Sequence, residues 1–378
     1  MKQKVNIRKW LRRMLIFMAA VVIIGLAGGA LFLSQTKFGR HPEGGRLERV
    51  TRSPNYVDGE FRNLVERPVV AASESRIKSY AKFFLERRER PAPENPLPSV
   101  KVDLKALDKS RDTVIWLGHS SFYIQLAGRT ILVDPVLSDQ AAPVFFANKA
   151  FTGSNPYTAD DFPDIDFLLI THDHWDHLDY PTVMALKPKI KAVFCPLGVG
   201  AHFERWKFPP EMVAEGDWGA SMERDSLTFH ILPAQHYSGR WLTRNKSLWA
   251  SLAIVTPERR LFLSGDSGYG PHFQRIGQDF GGFDLAILDA GQYNEQWAFI
   301  HMNPEEAARA AEDLGAKALL PAHVGKFNLA YHSWDEPFVR ITAASANKDY
   351  RLLTPLIGQP VDLGDPSQPF TRWWETHR

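Results

Sequence analysis

Cysteine is nearly absent from this chain. Cys195 is the only one, which excludes an internal disulfide framework and any metal site built on several thiolates. Acidic residues are missing from the first 40 positions, where Lys2, Lys4, Arg8, Lys9, Arg12, Arg13, Lys37 and Arg40 stand unopposed. The formal charge of +2 for the whole chain therefore conceals a charge of −6 on residues 41–378. A mildly acidic body lacks the basic surface that displaces counterions, so broad binding of nucleic acid is excluded. No internal repeat of solenoid type is visible. What remains, 378 residues with 44% hydrophobic and 23% charged, is too apolar for disorder and long enough for one large domain or two average ones.

One long uncharged run is present, from Met14 to Leu33. As a helix it covers about 30 Å, the thickness of a bilayer's hydrocarbon core. Lys and Arg precede it in excess, and the positive-inside tendency predicts a cytoplasmic N-terminus. The competing reading is a cleaved signal peptide, whose apolar core is usually about 7–15 residues, with Ala27–Ala30 as a poor cleavage site. The expectation is an uncleaved transmembrane anchor that, in a bacterial host, leaves the body on the periplasmic face of the inner membrane.

Residues 34–100 read as a connector that wraps around the body. Within it Ile77, Tyr80, Ala81, Phe84 and Leu85 form one apolar helical stripe, which either packs on the main domain or lies on the membrane surface. From residue 101 the pattern turns to short apolar strands alternating with helices, the signature of one α/β domain. Strands are predicted at Thr113–Leu117, Phe122–Leu126, Thr130–Val133, Phe167–Thr171, Ala192–Cys195, Thr228–Leu232, Leu248–Val255, Leu261–Leu263, Leu285–Leu288 and Ala318–Leu320. A helix is predicted at Pro304–Leu314, with Asn303 as N-cap.

The chemistry is concentrated in Thr171-His172-Asp173-His174-Trp175-Asp176-His177-Leu178-Asp179, directly after an apolar strand. Imidazoles and carboxylates packed this densely carry a desolvation cost that a divalent cation removes, because both groups are favoured ligands of zinc. His172 and His174, two apart, project to the same side of an extended chain, and Asp176 and His177 follow a turn and can face a second ion. His236, Asp266 and His323 each follow a predicted strand beside small residues, so rigid strand ends can present them as further ligands. His119 and Asp134, at earlier strand ends, read as supports that orient ligands. Asp173 and Asp179 are read as non-ligands able to bond a coordinating histidine. Gly265-Asp266-Ser267-Gly268-Tyr269 lacks the final glycine of a serine-hydrolase elbow, Gly281-Gly282 is too sparse for a phosphate loop, and Cys195 reads as inert core.

The order His172-x-His174-x-Asp176-His177, His236, Asp266, His323 resembles the metallo-β-lactamase superfamily. Within it the chain resembles the branch of N-acylphosphatidylethanolamine-hydrolysing phospholipase D. That likeness rests on Thr113–His119, Thr171–Tyr180, Ser264–Tyr269 and His301–Ala307, and spans roughly residues 100–360. The resemblance implies a four-layer αββα sandwich preceded here by the transmembrane helix. The membrane anchor is a departure from that branch, and with the charge and hydropathy pattern the chain divides into a basic cytoplasmic tail (1–13), an anchor (14–33), the connector (34–100) and a hydrolase domain (101–378). The resemblance further implies two Zn2+ ions, one held by His172, His174 and His236 and the other by Asp176, His177 and His323, with Asp266 bridging. His301 would contact substrate phosphate at the mouth of the site. Mn2+ and Fe2+ also suit such ligands.

The expected reaction is hydrolysis of a phospholipid diester by metal-bound hydroxide, with a membrane lipid as substrate and Asp266, Asp176 and His301 as catalytic groups. The stretch Gln292–Ile300 matches that branch only loosely, leaving the head group open. A lactonase or small-phosphodiester hydrolase, and a non-catalytic zinc-binding envelope protein, are the competing readings. The aromatic-rich loop with Phe145, Phe146 and Phe151 reads equally as membrane-dipping or core, and Phe370, Trp373 and Trp374 are candidates for the membrane interface. Nothing in the sequence reports oligomeric state.

Overall fold

The computed structural model describes residues 7–71, 89–240 and 242–377. The apolar stripe between Ile77 and Leu85 lies outside the described residues. The first helix, α1 (Ile7–Leu33), begins earlier than the uncharged run and exposes its apolar side chains along its length. It is long and apolar enough to cross a membrane, and a signal sequence would pass the same test of length and composition.

Two seven-stranded mixed sheets make the body. The first contains β3 (Thr113–Trp116), β4 (Phe122–Leu126), β5 (Arg129–Val133), β6 (Ile165–Leu169), β7 (Ile190–Pro196) and β8 (Val213–Gly216), with β16 (Pro360–Asp362) on the β3 edge. The second runs β9 (Ser221–Arg224), β10 (Leu227–Leu232), β11 (Ser251–Val255), β12 (Arg260–Leu263), β13 (Leu285–Asp289), β14 (Ala318–Ala322) and β15 (Arg351–Leu352) in spatial order. Strands β5 to β8 pair in parallel, as do β12 to β15. Both faces of these strands are covered, which is why they read as continuous apolar runs rather than as alternation.

Alternate residues divide between two layers. Ile131, Val133, Phe167 and Leu169 of the first sheet meet Phe229, Ile231, Leu252 and Leu263 of the second in the central core. Leu132, Leu168 and Cys195 face outward onto α3 (Tyr180–Leu186) and α4 (Gly200–Arg205) through Val183, Leu186 and Phe203. Phe262, Ala286 and Leu319 face α5 (His272–Phe280), α6 (Pro304–Asp313) and α7 (Glu336–Ala344) on the other side. The result is an αββα sandwich. As predicted, Asn303 caps α6, in a box with Glu306. Cys195 is buried, which pushes its thiol up to about 12.

Two expectations need correction. Strand β6 ends at Leu169 and β11 starts at Ser251; Thr171 and Ala250 are instead joined by a 3.0 Å backbone bond between loops. Trp373 and Trp374 are not at a membrane interface: they are buried in the central core, where Trp374 stacks on Phe338. The aromatic-rich loop is split, with Phe151 buried and Phe145 and Phe146 exposed.

The connector carries α2 (Gly44–Thr51) and a short hairpin, β1 (Tyr56–Val57) with β2 (Glu60–Phe61). Its Val50 and Phe61 pack with Leu197, Leu248 and Trp249 of the body.

Candidate metal centre

Strand ends of both sheets converge at one edge of the sandwich. The loop after β6 brings His172, His174, Asp176 and His177. His236 follows β10, Asp266 follows β12 and His323 follows β14 directly. These side chains gather into two adjacent groups. In the first, His172 Nε2 lies 2.9 Å and His236 Nε2 3.2 Å from His174 Nδ1, with Asp266 Oδ2 at 3.8 and 3.6 Å from His172 and His236. In the second, His323 Nε2 lies 3.2 Å and His177 Nε2 3.7 Å from Asp176 Oδ2. Asp266 belongs to this group as well, at 3.0 Å from His177 Nε2 and 3.4 Å from His323 Nε2.

The residues fit divalent cations. Ligands about 2.0–2.1 Å from a tetrahedral zinc are separated by about 3.3–3.4 Å, and the observed spacings bracket that value. His177 Nε2 and Asp266 Oδ1, 3.0 Å apart, are both buried without a hydrogen bond. Atoms aimed at a shared point rather than at each other are what a coordination site requires.

Charge leads to the same place. Burial disfavours ionisation of Asp266 and Asp176, yet the surrounding imidazoles outweigh it and hold both carboxyls well below the usual range. Burial and imidazole neighbours keep His172 far below its ordinary value, and burial lowers His174 to about 4. Burial disfavours charge on His177 and His323 too, but Asp266 and its carboxylate neighbours outweigh it, raising His323 to about 10. Ionised carboxylates at this depth need positive charge, supplied either by protons on these histidines or by metal ions.

Supporting contacts fix the ligand rings. Asp134 holds His177 Nδ1 at 2.8 Å while accepting the Thr171 backbone N–H at 2.8 Å. His119 Nε2 lies 2.9 Å from Asp176 Oδ2 and close enough to the second group to count among its possible ligands. His119, Asp134 and His323 all have left-handed backbone angles, φ 54°, 41° and 62°, a strain that clusters at functional sites. The first and last are locked by reciprocal backbone bonds between residues 119 and 323–324.

Several participants lay beyond sequence reasoning. Asp289, the last residue of β13, lies 2.9 Å from His301 Nδ1 and 3.3 Å from His323 Nδ1. Asn63 of the connector clamps the His236 backbone from both sides, at 2.8 and 3.1 Å. Tyr237 packs its ring on His174 and His236, and Arg244 stacks over Tyr237. Asp173 and Asp179 bond no histidine of the two groups. Asp173 instead joins His202, Ser247 and the Gly239 N–H, and Asp179 caps α3 through Thr182.

A cleft of about 270 Å³ opens over the two groups, lined among others by Trp175, Tyr237, Arg244 and His301. His301, stacked on His323, stands at its wall.

Residues 129–324 match the family described as the beta-lactamase superfamily domain. An uncharacterised protein of Mycobacterium tuberculosis is 40% identical over 327 residues, covering 85% of this chain and 88% of that protein. N-acyl-phosphatidylethanolamine-hydrolyzing phospholipase D 1 of Caenorhabditis elegans is 34% identical over 230 residues, 56% of this chain and 63% of that protein. Among solved structures, an isothiocyanate hydrolase from Delia radicum gut bacteria shares the fold, with TM-score 0.53 and 19% identity over 66% of this chain and 98% of that one. The chain is a metal-dependent hydrolase of the metallo-β-lactamase superfamily.

Proposed function

We propose that this protein is a membrane-tethered phosphodiesterase of phospholipase D type, acting on N-acylphosphatidylethanolamine or a related phospholipid through two zinc ions. The observation that carries the reading is Asp266, whose carboxylate is shared by two adjacent ligand groups beneath an open cleft. A purely structural metal site is closed by its protein ligands. The curated relative from Caenorhabditis elegans supports the lipid class.

His172, His174 and His236 would hold one ion, Asp176, His177 and His323 the other, with Asp266 between them. Together the ions would supply Lewis acidity toward a phosphoryl oxygen and bring a water's pKa toward neutrality. The chain's own residues do the rest. Asp134 and His119 hold the second group in register. Asp289 fixes His301 by Nδ1, and in the imidazolium form, where both ring nitrogens carry protons, Nε2 would donate a hydrogen bond to a phosphoryl oxygen as charge grows there. Arg244 adds a cation at the cleft wall. Water forms the new bond to phosphorus, the bond to the ethanolamine oxygen breaks, and that oxygen leaves with a proton as N-acylethanolamine, with phosphatidate as the other product. We place the N-terminus in the cytoplasm and the hydrolase domain on the periplasmic face of a bacterial inner membrane, as the flanking charges suggest.

The test uses full-length protein in mixed phospholipid vesicles containing N-acylphosphatidylethanolamine, with products read by mass spectrometry and bound metal by elemental analysis. Phosphatidate and N-acylethanolamine should appear, and should vanish in Asp266→Ala. A metal-loaded protein that leaves every lipid intact while opening a lactone or a soluble cyclic phosphodiester overturns the reading.

A further inference from the structure

Outside α1, the three most exposed large apolar side chains among the described residues are Leu242, Phe145 and Phe146, at 88, 77 and 67% exposure. Single exposed apolar residues are ordinary. These three are not scattered. Ala141 and Asn148, which flank the phenylalanines, line the metal cleft, and so do Gly239 and Arg244, which flank Leu242. All three side chains therefore stand on loops at one opening.

The end of α1 reaches the same opening. Residues 36–41 are bound to the body along their length. The Thr36 carbonyl accepts from Trp206 Nε1 at 2.8 Å, the Lys37 carbonyl accepts from Arg240 at 2.9 Å, and the Arg40 N–H donates to His202 Nδ1 at 3.3 Å. His41 Nε2 lies 2.7 Å from Thr243 Oγ1, next to Leu242. Phe38 is buried edge-on between Phe32 of α1 and Trp175, the cleft residue between His174 and Asp176. Gly39 has φ +70°, and a Cβ there would fall 1.9 Å from His202 Nδ1, so the path admits no side chain.

One ammonium group joins this segment to the phenylalanine loop. Lys37 Nζ donates to the Pro143 carbonyl at 2.6 Å while lying 4.8 Å from the centre of the Phe32 ring. The last turn of α1 and Pro143 therefore meet at a single atom, and Phe145 is only two residues further on. Arg240 extends the linkage inward: besides the Lys37 carbonyl, it binds the carbonyls of Asp173 and Leu178, at the two ends of the ligand loop.

We propose that residues 34–41 are an orienting strap that turns the mouth of the metal cleft onto the bilayer occupied by α1, with Phe145, Phe146 and Leu242 immersed in its interface. The proposal rests on α1 being a membrane span. A lipid then presents its phosphodiester to the cleft while its acyl chains stay in the membrane, and apolar side chains of this kind favour that boundary over water.

The experiment places single cysteines in the full-length protein, reconstituted in vesicles of phosphatidylcholine and phosphatidylethanolamine. Cys195 is buried and its thiol is pushed up to about 12, so it leaves the introduced sites as the reactive ones. An environment-sensitive fluorophore is attached to Phe145→Cys, Leu242→Cys, Val22→Cys within α1, and Ser226→Cys, in the turn joining β9 and β10 away from the ligand-bearing strand ends. Lipids brominated on their acyl chains serve as quencher. The probes at 22, 145 and 242 should be quenched at least about twofold, and the probe at 226 should not. Adding Gly39→Ala, which opposes docking of the strap, should reduce quenching at 145 while leaving that at 22 intact. Quenching at 22 with probes at 145 and 242 behaving like that at 226 overturns the strap and leaves the anchor standing. Absence of quenching at 22 removes the anchor and the proposal with it.

Discussion

Replacing Asp134 by asparagine changes one atom of a buried side chain and should cost the second metal group its grip. Asp134 has three partners at once: it accepts the Thr171 N–H on Oδ1, and through Oδ2 it accepts the Thr171 hydroxyl and engages His177 Nδ1. As a carboxylate it accepts from all of them. An amide cannot. If its oxygen stays on the Thr171 N–H, its NH2 donates to His177 Nδ1 and drives that ring's proton onto Nε2, the atom that faces the metal group. If the amide flips, two donors meet at Thr171, an unsatisfied buried pair costing about 1–3 kcal/mol. Loss of such an orienting partner lowers metal affinity about 10–100-fold, or about 1.4–2.7 kcal/mol. Dialysis of Asp134→Asn against graded chelator, followed by elemental analysis, should show bound metal leaving at a chelator strength that the parent protein withstands. Circular dichroism would confirm that the sandwich persists. Superimposable chelator curves for the two proteins would refute the assignment of Asp134 as the residue that sets the His177 tautomer.

Two further outcomes follow from the packing. Lys326 is fully buried, with Nζ on the Val136 carbonyl at 2.7 Å and on Asn155 Oδ1 at 3.2 Å; burial pushes it down to about 7 from an ordinary 10.5. Between those values the unfolded chain binds the extra proton, so this lysine's contribution to stability rises with pH by about 1.4 kcal/mol per unit and is flat below about 7. Urea unfolding from pH 6 to 10 should show that slope in the parent protein relative to Lys326→Met, and parallel profiles would contradict it. Gly268→Ala would set a Cβ 2.1 Å from the Phe299 carbonyl oxygen, backbone against backbone. It should cost about 3 kcal/mol and displace Ile300, whose carbonyl holds His236 Nδ1; an unchanged denaturation midpoint would argue against so tight an approach.

The local half of the site was legible because its chemistry is local. His172, His174, Asp176 and His177 fall within six positions after an apolar strand, and their density alone demands a cation. His236, Asp266 and His323 were legible for a related reason: each closes an apolar run, and strand ends of an α/β sandwich share an edge. His119 and Asp134 were placed at that edge on the same grounds, although the structure brings His119 close enough to count among the possible ligands. Asp289 carried no such signal. It is the final residue of an apolar strand, and nothing nearby says that His301 and His323 will both turn toward it. Asn63 sits 173 positions from the His236 backbone it clamps.

Residue type and spacing thus determined the fold class, the metal-ligating character of the site and the apolar run that became α1. Only the tertiary structure decided that the C-terminal tryptophans enter the core rather than a membrane, that Phe151 is buried while Phe145 and Phe146 are not, and that the end of α1 docks beside the cleft. Periodicity says which face of an element is apolar. It does not say which distant element will cover that face, because that choice is made by packing between residues far apart in the sequence, and none of those pairings is written into either partner's local sequence.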